Sequence, residues 1–422
     1  MGQHACGMLR KMKVNAVKGM NDYLPGEVEL RDYIQSVILS VYEKNGFRRI
    51  MTPAVEDAEN IDKSEGGDNL NLVFKILKRG EKLEKALASG NEKELSDLGL
   101  RYDLTLPLSR YYAGHKEILP SPMKCIQIDK VYRAERPQKG RDREFVQCDI
   151  DILGSSSPNC EVELILVTAE ALSALSLKNF KIKINDRRLL KSMLLKCGFE
   201  EEQLDSVCIS FDKLDKIGVD GVIAELNEKE FAASAIDSFS KVLERRPFTL
   251  DMMPELCEDA SAAENLKLIV DTVKSVNNGA FDVEFDISLV RGQGYYTGTV
   301  FEVESTEFRG AISGGGRYDN LIGKFIGQSV PAVGFSIGFE RIFAILKVSG
   351  FKIPAKREKV ALLYDAEKFS QAYAKAQDLR NQYDVSMFET PKKTGKFLNK
   401  LQENGYGGFL IFGQSDEVKT FE

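Results

Sequence analysis

The residues best suited to chemistry lie in one stretch, residues 131–154, where charged side chains accompany two apolar alternating segments. Five basic residues lie between these segments, namely Arg133, Arg136, Lys139, Arg141 and Arg143. Pro137 and Gly140 interrupt the basic run, and Asp149 and Asp151 follow on the second segment. The alternation predicts a β-hairpin with a basic tip and carboxylates on its returning strand. Such a hairpin suits a site that holds a polyanion next to a cation.

Three features of this hairpin resemble motif 2 of the class II aminoacyl-tRNA synthetases: the Arg133-x-Glu135 pair, the basic loop and Phe145. RAERPQKGR and the returning FVQCDID are similar to the histidyl-tRNA synthetase family in particular. The resemblance implies that Arg133 reaches the α-phosphate of ATP, which a planar, permanently charged guanidinium binds well. It also implies that Glu135 contacts ATP or the tRNA end and that Phe145 stacks on adenine. Without the full pattern, a basic solvated hairpin is the alternative interpretation.

The same resemblance implies roles for further residues of the hairpin. Arg141 and Arg143 are expected to contact ATP, and Gln138 is expected to contact the tRNA end. Gln147 and Asp151 share one face of the returning strand, because strand residues alternate. The resemblance implies that both line the amino-acid pocket, with Asp151 near the imidazole ring of histidine. A carboxylate there pairs with a ring N–H and disfavours apolar analogues that would leave it unpaired.

A second polar pair lies in residues 98–112, LGLRYDLTLPLSRYY. The pattern predicts a strand that Pro107 ends, with Asp103 and Thr105 on one face. An ordinary surface strand is the better interpretation without further context. RYDLTLPLSRY, however, resembles the segment of the same family in which an acid and a threonine hold the substrate's α-amino group. Asp103 is of the right type, because a cationic amine requires a carboxylate within hydrogen-bonding reach.

Residues 281–303, FDVEFDISLVRGQGYYTGTVFEV, predict a strand, a turn from Arg291 to Gly294 and a second strand. The VRG-x-x-YYTGTVFE pattern resembles the signature of the histidyl-tRNA synthetase family. The resemblance implies that Arg291 is a catalytic cation that stabilises charge at the α-phosphate. It also implies that Tyr295 and Tyr296 line the histidine pocket. The chain departs from the usual pattern, because Gln293-Gly294 stands where the family has Leu-Asp.

A third stretch, residues 311–347, predicts a glycine-rich turn at Ser313-Gly-Gly-Gly-Arg-Tyr-Asp319, through which the backbone approaches a ligand closely. A strand, small residues and a helix follow over residues 331–342. This order resembles motif 3 of the class II enzymes and implies that Arg341 meets the γ-phosphate of ATP. Arg133, Arg291 and Arg341 are therefore the three predicted catalytic arginines.

These residues require supporting elements, and the rest of the chain provides them. A helix over residues 27–44 and a strand over residues 47–53 resemble motif 1, which in the family forms the dimer interface, so we expect a homodimer. The predicted fold is α+β, a class II synthetase antiparallel sheet flanked by helices. The expected domains are a first catalytic part (1–186), a helical insertion (187–277), a second catalytic part (278–348), a linker (349–358) and a short anticodon-binding α/β domain (359–422).

Composition limits the remaining possibilities. The chain has 422 residues, is 43% hydrophobic and 29% charged, and carries a formal net charge of −6, so a nucleic acid must meet a local basic surface. An apolar run long enough for a membrane span is lacking, and we expect a cytoplasmic enzyme. Seven cysteines are scattered without a CxxC pair and there are only two histidines. The expectation is therefore reduced thiols and no structural zinc.

The resemblance implies ATP-dependent activation of histidine and its transfer to the 3′ end of tRNA(His). ATP would bring Mg²⁺, with no metal held at a fixed protein site. One alternative is a catalytically silent paralogue that serves as regulatory subunit of an ATP phosphoribosyltransferase, but such proteins lose the motif arginines that this chain retains. The other is a non-enzymatic RNA-binding module, which does not explain Asp103 and Asp151.

Overall fold

The computed structural model describes residues 13–64, 67–138, 140–211, 213–290 and 294–421. These residues form two compact units. The larger unit runs to Asp22 and continues over Ile34–Leu346, whereas the smaller unit combines Tyr23–Tyr33 with the chain from Lys347 onwards. None of the helices in the described ranges has the length and apolar character needed to cross a membrane.

Eleven strands and thirteen α-helices are found up to Val348 within the described ranges. The strands are β1 (Arg48–Arg49), β2 (Val55–Asp57), β3 (Lys75–Leu77), β4 (Ser96–Leu100), β5 (Met123–Tyr132), β6 (Glu144–Leu153), β7 (Phe180–Asp186), β8 (Asp282–Phe285), β9 (Thr299–Ser305), β10 (Phe308–Arg317) and β11 (Ala332–Gly338). The helices are α1 (Pro25–Lys44), α2 (Ala58–Asp62), α3 (Glu81–Ser89), α4 (Thr105–His115), α5 (Asn159–Ala174), α6 (Arg187–Cys197), α7 (Leu204–Phe211), α8 (Leu214–Glu228), α9 (Ala233–Leu243), α10 (Met253–Leu256), α11 (Ser261–Val276), α12 (Gly323–Ile326) and α13 (Phe339–Val348).

The larger unit is built on an eight-stranded sheet of order β1-β5-β6-β11-β10-β9-β7-β8. Neighbours from β5 to β7 are antiparallel, and the two edge pairs are parallel. The strands β2, β4 and β3 form a small separate sheet. The prediction of an antiparallel sheet with flanking helices is confirmed for the central strands, and the edge pairs make the sheet mixed.

The predicted hairpin of residues 131–154 is confirmed. Strands β5 and β6 pair over their whole length, from Met123 opposite Leu153 to Tyr132 opposite Glu144. Apolar alternation is the physical reason, since β6 is buried along nearly its whole length in the centre of the sheet. The hairpin therefore places its basic tip beyond the sheet and its carboxylates within it.

The prediction of a strand over residues 98–107 is wrong in its second half. Strand β4 ends at Leu100 and helix α4 begins at Thr105. Pro107 lies in the first turn of α4, where the missing N–H costs nothing because the first helical N–H groups lack intrahelical partners. Asp103 therefore lies on a connecting loop and not on a strand face.

The predicted glycine-rich turn at residues 313–319 is also wrong. Gly314, Gly315 and Gly316 belong to strand β10, in the middle of the large sheet. A Cβ at Gly315 would overlap the carbonyl oxygen of Gly334 on β11, so glycine is needed there for strand packing. The close approach allowed by these glycines is thus between strands.

Between β7 and β8 the described chain is helical, from α6 to α11. Phe239 lies in the middle of this segment, with its ring edge-on to Phe199 and Phe211 at centroid distances of 6.0 and 5.4 Å. Apolar residues at helical spacing share one face of a helix, and in this segment such faces pack together around the aromatic cluster.

The smaller unit contains β12 (Lys359–Tyr364), α14 (Phe369–Leu379), β13 (Asp384–Glu389), α15 (Thr394–Glu403), β14 (Gly408–Ile411) and β15 (Lys419–Thr420). Its sheet has the order β13-β12-β14-β15, and the first three strands are parallel. The predicted βαβαβ arrangement is confirmed, with helices that cover the strands as parallel crossovers require.

Candidate active site

A buried carboxylate of the larger unit, Asp103, lies on the loop between β4 and α4. Asp103 is only 1% exposed. Its Oδ2 accepts a 3.0 Å hydrogen bond from the Tyr295 hydroxyl, and its Oδ1 accepts a 3.3 Å bond from the N–H of Leu106. Thr105 Oγ1 lies 3.3 Å from the same Tyr295 hydroxyl. The structure thus brings together three residues that the sequence predicted for one pocket.

The electrostatics of Asp103 favour a cationic ligand. Burial raises the pKa of its carboxyl, and the nearby positive charge of Arg133 opposes that rise. A desolvated carboxylate gains most from an oppositely charged partner, because the low local dielectric strengthens the attraction. Asp103 is therefore well placed to accept an ammonium group.

A second buried carboxylate, Asp151, lies on β6 at 4% exposure. Its Oδ1 accepts a 2.6 Å hydrogen bond from the Tyr318 hydroxyl. It also faces Gly334 of β11, where any side chain would overlap the carboxylate. Burial raises the pKa of Asp151 to about 7, against the lowering effect of the bond from Tyr318.

Tyr318 is a pocket residue that the sequence reasoning did not identify. It is 2% exposed and packs edge-on against Tyr295, with ring centroids 6.0 Å apart. The assignment of this segment to a turn concealed it. Strand residues alternate between faces, so a strand through GGGRYD would place Tyr318 on the same face as Gly314 and Gly316. Recognition of β10 as a strand would therefore have predicted that Tyr318 lies beside these glycines.

Two further residues of β6 lie on the same face as Asp151. Gln147 donates from Nε2 to Ser336 Oγ at 3.2 Å. Asp149 lies opposite Ser336 in the strand pairing and is 5% exposed. Burial raises the pKa of Asp149 well above its usual value, and the charge of Asp151 raises it further. Asp103, Asp149 and Asp151 together make the pocket strongly acidic, so a cation is its natural ligand.

Tyr296 closes another side of the pocket. Its ring lies 5.0 Å from that of Tyr295, centroid to centroid, at an interplanar angle of 62°. A Cβ at Gly316 would lie only 2.8 Å from the Tyr296 ring, so the absent side chain makes room for that ring. The two predicted tyrosines are therefore adjacent, next to both Asp103 and the glycine-rich strand.

Arg133 joins the acidic pocket to the basic hairpin. Its Nε donates a 3.0 Å hydrogen bond to the carbonyl of Tyr102, the residue before Asp103. Its guanidinium carbon lies 5.1 Å from the centre of the Phe145 ring, which is a cation–π distance. Arg133 and Phe145, the cation and the aromatic ring predicted to contact ATP, thus lie together next to the loop of Asp103.

The tip of the hairpin turns between Gln138 and Arg141, whose backbones form an isolated β-bridge. Arg141 Nη1 lies 3.5 Å from Glu135 Oε2, whereas Arg143 Nε donates to the Glu135 carbonyl at 3.0 Å. The N–H of Arg143 also donates to Gly19 O at 2.7 Å. Lys139 lies outside the described residues. The predicted ATP contacts of Glu135, Arg141 and Arg143 and the predicted tRNA contact of Gln138 stay predictions.

The third arginine, Arg341, lies in the first turn of α13. Its Nη1 donates to the carbonyl of Ala311 on β10, and its guanidinium carbon lies 5.7 Å from the Phe308 ring centre. The second predicted catalytic arginine, Arg291, lies outside the described residues, as does Gln293. The predicted phosphate contacts of these arginines also stay predictions.

Metal ligands do not gather anywhere in the described part of the chain, where no group of three or more His, Cys, Asp or Glu side chains is arranged to hold an ion. The pocket carboxylates are instead engaged by hydroxyl groups, as in the pairs Asp103–Tyr295 and Asp151–Tyr318. Organic cations suit such sites better than Mg²⁺, which requires several oxygen ligands in octahedral geometry.

The chain is similar to several known proteins. Residues 19–342 match the family model described as Histidyl-tRNA synthetase. The chain is 43% identical over 363 residues to a histidine–tRNA ligase of Leifsonia xyli subsp. xyli, which covers 82% of this chain and 83% of the relative. It is 32% identical to that of Cytophaga hutchinsonii, over 96% and 93% of the two chains. A histidyl-tRNA synthetase structure from Nostoc sp. PCC 7120 is similar, with a TM-score of 0.76 and 27% identity over 95% and 92% of the chains.

Proposed function

The chain belongs to the histidyl-tRNA synthetase family, and we propose that its acidic pocket and adjoining arginines carry out the histidine–tRNA ligase reaction. The enzyme activates histidine with ATP and transfers the histidyl group to the 3′ end of tRNA(His). One observation supports this placement most strongly. The Tyr102 carbonyl accepts a 3.0 Å hydrogen bond from Arg133 Nε, so the cation is bonded to the loop that carries the buried acid Asp103.

The acidic pocket binds histidine. Asp103 and Thr105 accept the α-ammonium group, and Tyr295 holds the Asp103 carboxylate in place. Asp151 accepts the imidazole N–H, and Gln147 completes the polar lining. An amino acid without a ring N–H would leave Asp151 unpaired in a desolvated site, which strongly disfavours it.

Tyr295 and Tyr296 form the walls of the pocket. Their neighbouring rings exclude water from the carboxylates, and this strengthens every charge interaction inside. Gln293-Gly294, which stands where the family has Leu-Asp, directly precedes these tyrosines. We therefore expect this difference from the family to affect the tyrosine wall more than the rest of the pocket.

The activation step is a displacement at phosphorus. A carboxylate oxygen of histidine attacks the α-phosphorus of ATP, a new P–O bond forms, and the bond to the bridging oxygen of pyrophosphate breaks. Arg133 and Arg291 stabilise the charge on the α-phosphate, and Arg341 holds the γ-phosphate. Phe145 stacks on adenine. Mg²⁺ bound to the ATP phosphates neutralises part of their charge. Positioning and electrostatics supply the catalysis, because a carboxylate nucleophile needs no general base.

The tip of the hairpin completes the ATP and tRNA contacts. Glu135, Arg141 and Arg143 contact ATP, and Gln138 contacts the tRNA end. Two contacts support this placement: Arg141 Nη1 lies 3.5 Å from the Glu135 carboxylate, and Arg143 Nε donates to the Glu135 backbone carbonyl, so both arginines are held next to Glu135. The terminal ribose hydroxyl then attacks the carbonyl carbon of histidyl-adenylate, and AMP leaves.

The domains divide this work. Residues 1–186 and 278–348 form the catalytic domain, 187–277 a helical insertion, 349–358 a linker, and 359–422 the anticodon-binding domain. The succession of helices α6 to α11, with no strand among the described residues between β7 and β8, supports the insertion, and the parallel strands β12, β13 and β14 support a separate α/β domain. The enzyme acts as a cytoplasmic homodimer, with residues 27–44 and 47–53, the segments that resemble motif 1, at its interface.

Amino-acid-dependent exchange of pyrophosphate into ATP, run with all twenty amino acids, tests the function directly. We expect exchange with histidine alone. Folded protein that binds histidine but exchanges with no amino acid would contradict the enzyme and favour the regulatory paralogue. Arg291→Ala is expected to remove most of the exchange rate and to leave histidine affinity nearly unchanged, and a near wild-type rate would refute its role.

A further inference from the structure

Two buried polar residues outside the predicted pocket, Arg101 and Gln127, hold the loop that carries Asp103. We call residues 101–104, between β4 and α4, the acid loop. Arg101 and Gln127 are each 2% exposed, an unusual burial for such polar side chains. Neither has a role in the reaction proposed above. Arg101 lies two residues before Asp103 in the sequence, and Gln127 lies on β5 and is bonded to Leu104, the residue after Asp103.

The guanidinium of Arg101 is engaged at all three nitrogens. Nε donates to the Lys130 carbonyl at 2.8 Å, and Nη2 pairs with Asp129 Oδ2 at 2.8 Å. Nη1 donates to the Thr52 carbonyl at 2.8 Å. The head group therefore binds β5 on one side and residue 52 on the other, and the start of the acid loop is fixed between them.

Gln127 fixes the other end of the acid loop. Its Nε2 donates to the Leu104 carbonyl at 2.9 Å, and its Oε1 accepts from Thr52 Oγ1 at 3.1 Å. This pattern determines the orientation of the amide, because a carbonyl can only accept and Leu104 therefore faces the NH₂ group. Thr52 is thus a partner of both Arg101 and Gln127.

The backbone of the acid loop is bonded to the same strand. The Arg101 carbonyl accepts from the N–H of Tyr132 at 3.0 Å, and the Tyr102 carbonyl accepts from Arg133 Nε at 3.0 Å. With the Leu104 bond, three carbonyls of the loop are bound to β5 or the residue that follows it. The carboxylate of Asp103 is thereby presented from a loop with little freedom to move.

We propose that Arg101 and Gln127 are positioning residues for the α-ammonium group of histidine. Neither touches the substrate; they hold the acid loop so that Asp103 meets the ammonium group without a loss of loop entropy on binding. The inference rests on the proposed role of Asp103 as the ammonium acceptor. The competing explanation is that both residues only stabilise the fold.

Two small ligands distinguish positioning from general stability. Histidinol has both the ammonium and the imidazole groups, whereas 3-(imidazol-4-yl)propionate lacks the ammonium. Gln127→Met removes the two side-chain hydrogen bonds at similar volume. We expect about tenfold weaker histidinol binding by calorimetry, as follows from the loss of a hydrogen bond to a pre-organised loop, and unchanged propionate binding. In pyrophosphate exchange, KM for histidine is expected to rise about tenfold while kcat changes less than about twofold.

Milder and matched variants complete the test. Thr52→Val keeps the side-chain shape but removes the hydroxyl bonded to Gln127, and we expect a smaller change in the same direction. Arg101→Lys keeps a positive charge for Asp129 but loses the planar guanidinium that also bonds the carbonyls of Lys130 and Thr52. Its effect is therefore expected to match or exceed that of Gln127→Met. Phe239→Leu, in the aromatic cluster of the helical segment, serves as the stability control. It is expected to lower Tm and to leave both ligand affinities unchanged.

Two results would overturn the inference in distinguishable ways. Gln127→Met that lowers Tm but keeps the wild-type ratio of histidinol to propionate affinity would show that Gln127 is structural only, with the proposed function intact. Asp103→Asn that keeps the same ratio would show that Asp103 is not the ammonium acceptor. That second result would remove both the ammonium assignment and the inference built on it.

Discussion

The acidic pocket and the basic hairpin tip are both charged, but they treat their charges differently. In the pocket, Asp103 and Asp151 are almost fully buried and each accepts a hydroxyl hydrogen bond. At the tip, the Arg141 side chain is 54% exposed and its ion pair with Glu135 is long, at 3.5 Å. The comparison shows that one site desolvates its charges before the ligand arrives, whereas the other keeps them in water.

This difference has an energetic consequence. Buried carboxylates carry a desolvation cost that only a matched cation fully offsets, so the pocket both destabilises the fold and selects its ligand. Exposed arginines cost little, but water and salt screen them, and they give affinity for phosphates without fine discrimination. In the proposed reaction, the pocket therefore selects the amino acid, and the hairpin tip attracts ATP and tRNA without fine discrimination.

The largest effect is expected from removal of a pocket charge. Asp103→Ala should raise KM for histidine at least about 100-fold, because a charge-assisted hydrogen bond in a desolvated site is lost. KM for ATP is expected to change less than about threefold. Steady-state pyrophosphate exchange measures both constants. Equal increases in the two KM values would show that the pocket and the ATP site are not separate.

A second prediction concerns the stability cost of the pocket. Burial raises the pKa of Asp151 to about 7 in the folded protein, so the folded protein binds this proton more tightly than the unfolded chain does. The stabilisation that follows is fully present below the unfolded pKa and is lost as pH rises through about 7. Asp151→Asn should therefore raise Tm at pH 8 more than at pH 5, while histidine activation is lost.

Differential scanning calorimetry at the two pH values checks this prediction. Glu225→Gln provides a control of opposite sign, because its hydrogen bonds to Lys213 and Ser210 lower the pKa of Glu225 to about 2. That variant should lose stability at neutral pH. A fall in Tm for Asp151→Asn at pH 8 would contradict a pocket that stores unfavourable charge.

Sequence reasoning succeeded where periodicity alone decides the geometry. Alternation along β6 placed Gln147, Asp149 and Asp151 on one face, and the hairpin with its basic tip followed from the same pattern. The prediction of a strand around Asp103 was wrong, because a short loop before a helix has no periodic pattern in its sequence. Thr105 begins α4, and the apolar residues on either side suit both a strand and a buried helix.

Tertiary contacts explain the remaining misses. Three consecutive glycines suggest a turn, yet here they allow β10 to pack against β11 and leave room for the Tyr296 ring. The same wrong turn prediction hid the pocket position of Tyr318. Arg101 and Gln127 were equally invisible, since their partners lie on β5 and near residue 52, far away in sequence. Such contacts depend on strand order, which local patterns do not contain.

A smaller effect, dependent on pH, is expected from the loss of the Tyr318 hydroxyl. The Tyr318 hydroxyl bond lowers the pKa of Asp151, so Tyr318→Phe should raise that pKa further. The midpoint above which histidine binds well is then expected to move upward by roughly one pH unit. Histidinol binding by calorimetry between pH 6 and 9 measures the shift (the ligand's own titration is the same for both proteins). An unchanged midpoint would indicate that Asp151 does not titrate in the binding step.

The smallest effect is expected at the hairpin tip. Arg141→Ala removes an exposed ion pair with Glu135, and its free energy of unfolding should change by less than about 0.5 kcal/mol. KM for ATP is expected to rise a few-fold at low salt, with the difference from wild type shrinking as ionic strength increases, because exposed charges are screened. KM for histidine should stay constant. A salt-independent loss of ATP binding, or any loss of histidine affinity, would mean that this arginine is desolvated in the complex and that the tip works as the pocket does.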